Sequence, residues 1–164
     1  MSVLADPDVS SLDAHAHHLT VCRARPAYPQ SGPERHRLHC LCKSGPVIAK
    51  CPCGNGAYAS CCGPLHVVER PAETAEELMR SRYSAFVLGH EDYLTITWHP
   101  RTRPSTLELP DRTWTGLEIV DTVDGGQDDI EGIVEFIARY RGGEQRERSI
   151  FSRRAGRWVY VHAV

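Results

Sequence analysis

No run of apolar residues in this chain approaches the ~18 consecutive positions that a membrane-spanning helix requires. Nor does the N-terminus carry a basic stretch leading into an apolar one. Membrane insertion and export are therefore not expected. An excess of charge of one sign is also lacking: 19 Lys and Arg stand against 21 Asp and Glu, a net charge of −2. Without a basic footprint, nucleic acid is excluded as the expected partner. No Cys-x-x-Cys redox pair occurs, and the total of seven cysteines is odd, which suits free or metal-bound thiols in a reducing cytoplasm better than a disulfide framework. What remains is ordinary globular material, 41% hydrophobic and 24% charged over 164 residues, enough for one domain with small appendages.

Against that background four cysteines crowd into twelve residues, Cys51-Pro52-Cys53 and Cys61-Cys62. Adjacent cysteines bridge each other only with strain, and Cys51 and Cys53 are nearly as cramped, so disulfides fit this spacing poorly. A tetrahedral metal knot fits it well. Zn²⁺ takes four thiolates at ~2.3 Å, and such a site can supply ~10 kcal/mol of folding free energy to a short loop. Pro52 fixes φ between the first two ligands, Gly54 and Gly56 allow a tight return, and Tyr58 can shield one side. Zn²⁺ held by Cys51, Cys53, Cys61 and Cys62 is the expectation, with His66 left out because four thiolates fill the tetrahedron.

Residues 1–46 mix Asp, His, Arg, Pro and Ser without helical or strand period and read as a disordered tail. The tail holds Cys22, Cys40 and Cys42 with His15, His17, His18, His36 and His39, and His39-Cys40-Leu41-Cys42 has the look of a second metal half-site. Val47 is the residue that an alternative start codon would leave, so an untranslated tail is also an expectation. Residues 47–66 form the knuckle, and 67–164 the main domain. Thr74 and Glu77 stand in capping-box register and Gly89 marks a stop, predicting a helix over Ala75 to Leu88. Ala75, Leu78, Met79, Tyr83 and Phe86 share its apolar face, leaving Arg80 and Ser84 to solvent. A shorter helix is expected within His90 to Trp98. Strands follow over Trp114 to Val123, from Ile130 with Val134, Phe136, Ala138 and Tyr140 facing inward, over Gln145 to Arg153, and over Trp158 to Ala163. Helices first and a meander after give an α+β domain with helices covering one face of a curved antiparallel sheet.

These residues carry a resemblance. Cys51-Pro52-Cys53-Gly54 with Cys61-Cys62 resembles the SEC-C motif, the zinc-binding tail of the preprotein translocase motor ATPase, which docks an export chaperone. Leu78-Met79-Arg80-Ser81-Arg82-Tyr83-Ser84-Ala85-Phe86, Thr97-Trp98-His99-Pro100 and Glu147-Arg148-Ser149 resemble the uncharacterised bacterial YchJ-like family, which joins a SEC-C motif to a cone-shaped domain of the nuclear transport factor 2-like fold. The chain departs from the motif in having seven residues between Cys53 and Cys61 where eight are usual, and Asn55 for serine. The resemblance implies a zinc knuckle that docks a protein partner, a cone whose cavity takes a small molecule, and a homodimer through the sheet.

Within the cone, Arg82 falls on the apolar face of its helix, so its guanidinium needs a carboxylate such as Glu147, backbone carbonyls or a bound anion. His99, between Trp98 and Pro100, is the candidate acid or base, its ordinary pKa of ~6.5 lying near neutrality; capping of the short helix is the simpler role. Arg82, Tyr83, Trp98, His99 and Arg148 are the expected ligand-lining set. No nucleophile stands beside a base and no acidic pair has hydrolytic spacing. A binding or docking module is thus the leading expectation, and a small hydrolase or isomerase using His99 and Arg82 the alternative.

Overall fold

The computed structural model describes residues 48–164; the cysteines and histidines of the tail, and the start suggested at Val47, lie outside the described residues. A 3₁₀ turn at Tyr58–Ser60 and the one-turn helix α1 (Gly63–His66) belong to the cysteine loop. Helices α2 (Ala75–Leu88) and α3 (Glu91–Ile96) precede strands β1 (Trp114–Asp124), β2 (Glu131–Tyr140), β3 (Gly143–Arg154) and β4 (Arg157–Ala163). The strands form one antiparallel meander in the order β1-β2-β3-β4. Irregularities of register between Trp114 and Gly116, Ile119 and Asp121, and Ile150 and Phe151 bend the strands, as bulges do.

Local chemistry sets the ends of α2. The Thr74 hydroxyl accepts the Glu77 amide at 3.0 Å, while the Glu77 carboxylate accepts the Glu73 amide at 2.6 Å and pairs with Arg70 at 2.6 Å. Gly89 closes the helix in the left-handed conformation at φ 73°. The buried positions of α2 nevertheless run around it rather than along one stripe: Leu78, Met79, Ser81, Arg82, Tyr83, Ser84 and Ala85 are all buried. A helix buried all round lies between two layers. On one side is the sheet, whose inward residues Val134, Phe136, Ala138, Ser149 and Phe151 are buried; on the other is the cysteine loop, packed into the same core. Ser84, expected in solvent, is therefore fully buried. Ile130, expected inside, lies just ahead of β2 in the turn and is exposed.

The β1–β2 turn is fastened to the start of α2. The Gly125 carbonyl accepts the Ala75 amide at 2.8 Å, and the Arg153 guanidinium donates to the carbonyls of Glu73, Gly126, Gln127 and Asp129. The Trp158 indole N–H donates to Glu73 as well, at 3.0 Å. Gly125 adopts φ 84°, and a Cβ there would lie 2.7 Å from that of Ala75. Gly142 also has positive φ, 98°, but open space around it. Gly125→Ala should therefore cost about 1–2 kcal/mol of backbone strain plus a clash, together roughly 3 kcal/mol, whereas Gly142→Ala should cost the strain alone. Urea unfolding of the two variants measures the difference.

Candidate metal centre and cavity

The loop from Lys50 returns on itself through a single bridge to Ala57, with the Cys51 amide donating to Gly56 and the Gly54 amide to Cys51. This turn brings the Sγ atoms of Cys51, Cys53, Cys61 and Cys62 within 4.8 Å of one another. Neighbouring pairs are 3.4 Å (Cys51 and Cys53), 3.5 Å (Cys53 and Cys61), 3.7 Å (Cys53 and Cys62) and 3.8 Å (Cys61 and Cys62) apart. Four sulfurs bonded at ~2.3 Å to one tetrahedral ion would sit ~3.8 Å apart. The four thiols are free cysteines and could hold a metal ion.

Electrostatics favours the same use. Hydrogen bonding from Cys62, with the Asn55 amide and the other thiols, draws the Cys53 thiol down to about 5 against the cost of burial. Burial and the neighbouring Cys53 push Cys61 up to about 12, and contact with Cys53 followed by burial pushes Cys62 up. Cys53 thus ionises readily, while Cys61 and Cys62 resist ionising beside it. A divalent ion removes that obstacle.

Cys51, Cys53 and Cys62 are 3%, 2% and 1% exposed, and only Cys61 is half-buried. What covers them is α2. The Ser84 hydroxyl lies 3.4 Å from Cys62 Sγ and 3.5 Å from Cys51 Sγ, and the Arg80 guanidinium reaches the Cys53 carbonyl at 3.4 Å. Sequence periodicity missed Ser84 because it treated this helix as having one dry face; a serine four residues from Arg80 carries no sign of a second layer.

His66 is no ligand in this geometry. Its Nε2 lies 2.9 Å from the Ser81 carbonyl, which can only accept, so Nε2 carries the proton and Nδ1 accepts from the Tyr58 hydroxyl at 2.8 Å. The ring pins α1 to α2. Burial holds its pKa down at about 4, with His90 adding repulsion against the Ser81 carbonyl's opposing effect.

The expected pocket residues divide. Arg82, Tyr83 and Trp98 line a cavity of about 180 Å³ between α2 and the sheet, together with Glu147, Gln145 and Tyr160. Arg82, 3% exposed, forms no ion pair with Glu147: it donates to the Leu94 carbonyl at 2.9 Å and the Thr97 hydroxyl at 2.8 Å, and lies over the rings of Trp98 and Tyr160 at 5.0 and 4.8 Å. Burial brings its pKa down to about 10. Glu147 instead accepts from Ser149 at 2.6 Å and Gln145 at 3.0 Å. His99 lies outside the cavity lining; its Nδ1 accepts the Arg101 amide at 3.2 Å and its own amide donates to Tyr160. Arg148 lies on the opposite face of the sheet, paired with Asp121 at 3.2 Å and Glu135 at 3.0 Å. Strand alternation decides this, since a strand that turns Phe151 and Ser149 inward also turns in Glu147 and Gln145 and turns out Arg148. The Phe151 phase is the available signal for Gln145, absent from the expected lining, and for Glu147, expected only as a partner of Arg82.

Comparison with known proteins agrees with this architecture. Residues 74–163 match the model described as the middle nuclear transport factor 2-like domain of YchJ. The chain belongs to the YchJ-like family. It is 56% identical to a UPF0225 protein of Streptomyces coelicolor, covering 68% of this chain and 91% of the relative, and 46% identical to one of Deinococcus radiodurans, covering 72% and 91%. Among solved structures it resembles a SEC-C motif containing protein from Rhodopseudomonas palustris, at 37% identity with TM-score 0.59 over 70% of this chain and 97% of that one. A SEC-C motif containing protein from Psychrobacter arcticus gives 29% identity and TM-score 0.59, covering 70% and 81%. Within the described residues of this YchJ-like chain, no helix is long and apolar enough to cross a membrane.

His66 should make stability depend on pH in a defined direction. Its folded pKa of about 4 lies below the unfolded value of ~6.5, so between these limits the unfolded chain binds more protons and stability falls as pH falls. Near pH 5 unfolding should take up close to one proton on this account, and His66→Gln should remove that share. Denaturant titrations of both proteins across pH, in the same metal state, measure it.

Proposed function

We propose that this YchJ-like protein is a cytoplasmic zinc protein in which the ion clamps the knuckle onto α2, and that the cone receives a small molecule against Arg82. Zinc is supported by the donor set, since four thiolates in a closed tetrahedron suit it better than the harder divalent ions. The reading of the cone rests chiefly on one observation: a buried guanidinium with no ion pair among the described residues faces the same cavity as Glu147 and Gln145. At about 180 Å³ the cavity suits a ligand of one ring, because ~150 Å³ already accommodates benzene. With one cation and one carboxylate on its wall, a molecule carrying both donor and acceptor groups is favoured over a strongly charged one.

A protein partner belongs to the same proposal. The outer turn of the knuckle, with Asn55, Ala57 and Ser60 exposed, is the surface offered to it, while the thiols face inward. The enzyme that would pair His99 with Arg82 lacks support, because His99 does not line the cavity.

Protein purified without chelator should contain about one zinc per chain, lost in Cys61→Ser, Cys62→Ser. Ser84→Ala, which removes a hydroxyl beside two of the sulfurs, should weaken zinc about ten-fold in chelator competition. Zinc absent from the intact protein would overturn the first half of the reading. For the second, a library of single-ring metabolites screened by thermal shift should yield at least one compound that stabilises the protein but not Ala138→Leu, which fills the cavity. No stabilising compound, or equal shifts in both proteins, would count against it.

A further inference from the structure

A second hollow, of about 220 Å³, is bounded by residues of α1, α3, the segment ahead of α2 and the β3–β4 hairpin. Its floor is apolar, with Leu65, Leu78, Tyr93, Trp158 and Val159. Among the described residues its charged lining is entirely cationic, Arg70, Arg103, Arg154 and Arg157, with no aspartate or glutamate. Arg70 is satisfied by Glu77, but Arg103, Arg154 and Arg157 have no carboxylate within 4.0 Å among the described residues. On the outer face of the sheet the opposite holds, where Arg139, Arg146 and Arg148 are each paired. Arg101, Arg112 and Arg141 also lack a carboxylate partner among the described residues, but Arg103, Arg154 and Arg157 gather around one apolar floor.

The rim adds apolar surface in water. Val68 and Ile96 of the lining are 53% and 55% exposed, and the neighbouring Val67 is 72% exposed. Val68 also holds φ 58°, a left-handed conformation costing a β-branched residue about 1–2 kcal/mol, with no compensating burial. A groove with an apolar floor large enough for one phenyl or branched aliphatic side chain, bordered by exposed apolar groups and unpaired cations on two separate segments, matches a ligand longer than the hollow itself.

We propose that this groove binds an acidic peptide segment of a partner protein, seating one large apolar side chain on Trp158 and Val159 with flanking carboxylates on Arg103, Arg154 and Arg157. Arginine recognises carboxylates through paired, directional N–H donors, and the tryptophan floor supplies the anchor. The groove shares Trp98 with the small-molecule cavity, and the anchor and arginines assigned to the peptide lie outside that cavity. It gives the protein partner a site distinct from the outer turn of the knuckle.

A random dodecapeptide library displayed on phage, selected against the full-length zinc-loaded protein, tests it. Enriched peptides should be net acidic around one aromatic or branched aliphatic residue, and synthetic copies should quench tryptophan fluorescence on binding. Arg154→Glu with Arg157→Glu should weaken them about ten-fold or more, as should high salt, while Arg112→Glu with Arg141→Glu, equal in charge but away from the groove, should not. Arg103→Glu, outside the hairpin, provides a second variant should the first misfold. The proposal is overturned by no enrichment above background, by peptides without acidic bias, by equal loss in the control variant, or by saturable binding to phosphatidylglycerol vesicles in place of peptide. Zinc content and the metabolite screen are read separately, so failure here leaves the proposed function standing.

Discussion

Burial of one helix from both sides is the constraint that organises this molecule. Helix α2 carries Ser81, Arg82 and Ser84 into a dry interior, and each polar group must find a partner there or cost roughly 1–3 kcal/mol. Ser81 meets the Tyr93 hydroxyl, Arg82 meets the end of α3, and Ser84 meets two sulfurs of the knuckle. The sheet could not satisfy these three groups alone. The cysteine loop is thus the second layer of a sandwich, and whatever gives that loop its shape also keeps Ser84 from being a buried hydroxyl without company.

This arrangement joins the two halves of the family pattern in one core. Cys51, Cys53 and Cys62 pack in the same apolar cluster as Leu78, Phe136 and Phe151. His66 extends the joint by accepting from Tyr58 in the loop and donating to the Ser81 carbonyl of α2. The wall of the cone on the sheet side, with Glu147 and Gln145, and the cluster on the other side therefore share a single rigid element between them. A knuckle hanging free as a handle would have left its sulfurs in water, and three of the four are not.

Much of this was legible from residues alone where local chemistry decides. Thr74, Glu77 and Gly89 place both ends of α2 because capping depends on neighbours within a turn. The cysteine spacing pointed to one cluster because the alternatives are sterically poor. Strand alternation gave the sheet. What stayed hidden depends on layers meeting across the fold. Ser84 reads as solvent-facing when only one packing partner is imagined. Arg82 reads as needing a carboxylate, carbonyls or an anion, and only the packed layers bring it the carbonyl of Leu94 and two aromatic faces. Arg148, expected in the cavity, is sent by the pleat to the far face, and Glu147 and Gln145 are sent inward.

The ties to Glu73 have a consequence for synthesis. Its carbonyl is held by Arg153 and Trp158, and its carboxylate by Gln127, so the segment just ahead of α2 is tied to chain that follows it by 54 to 85 positions. On the ribosome the knuckle and helices emerge well before β4, and for that interval the sheet-facing side of α2 has nothing to cover it. The four cysteines are all in place by residue 62, so the partner of the opposite side of α2 precedes the helix in the chain.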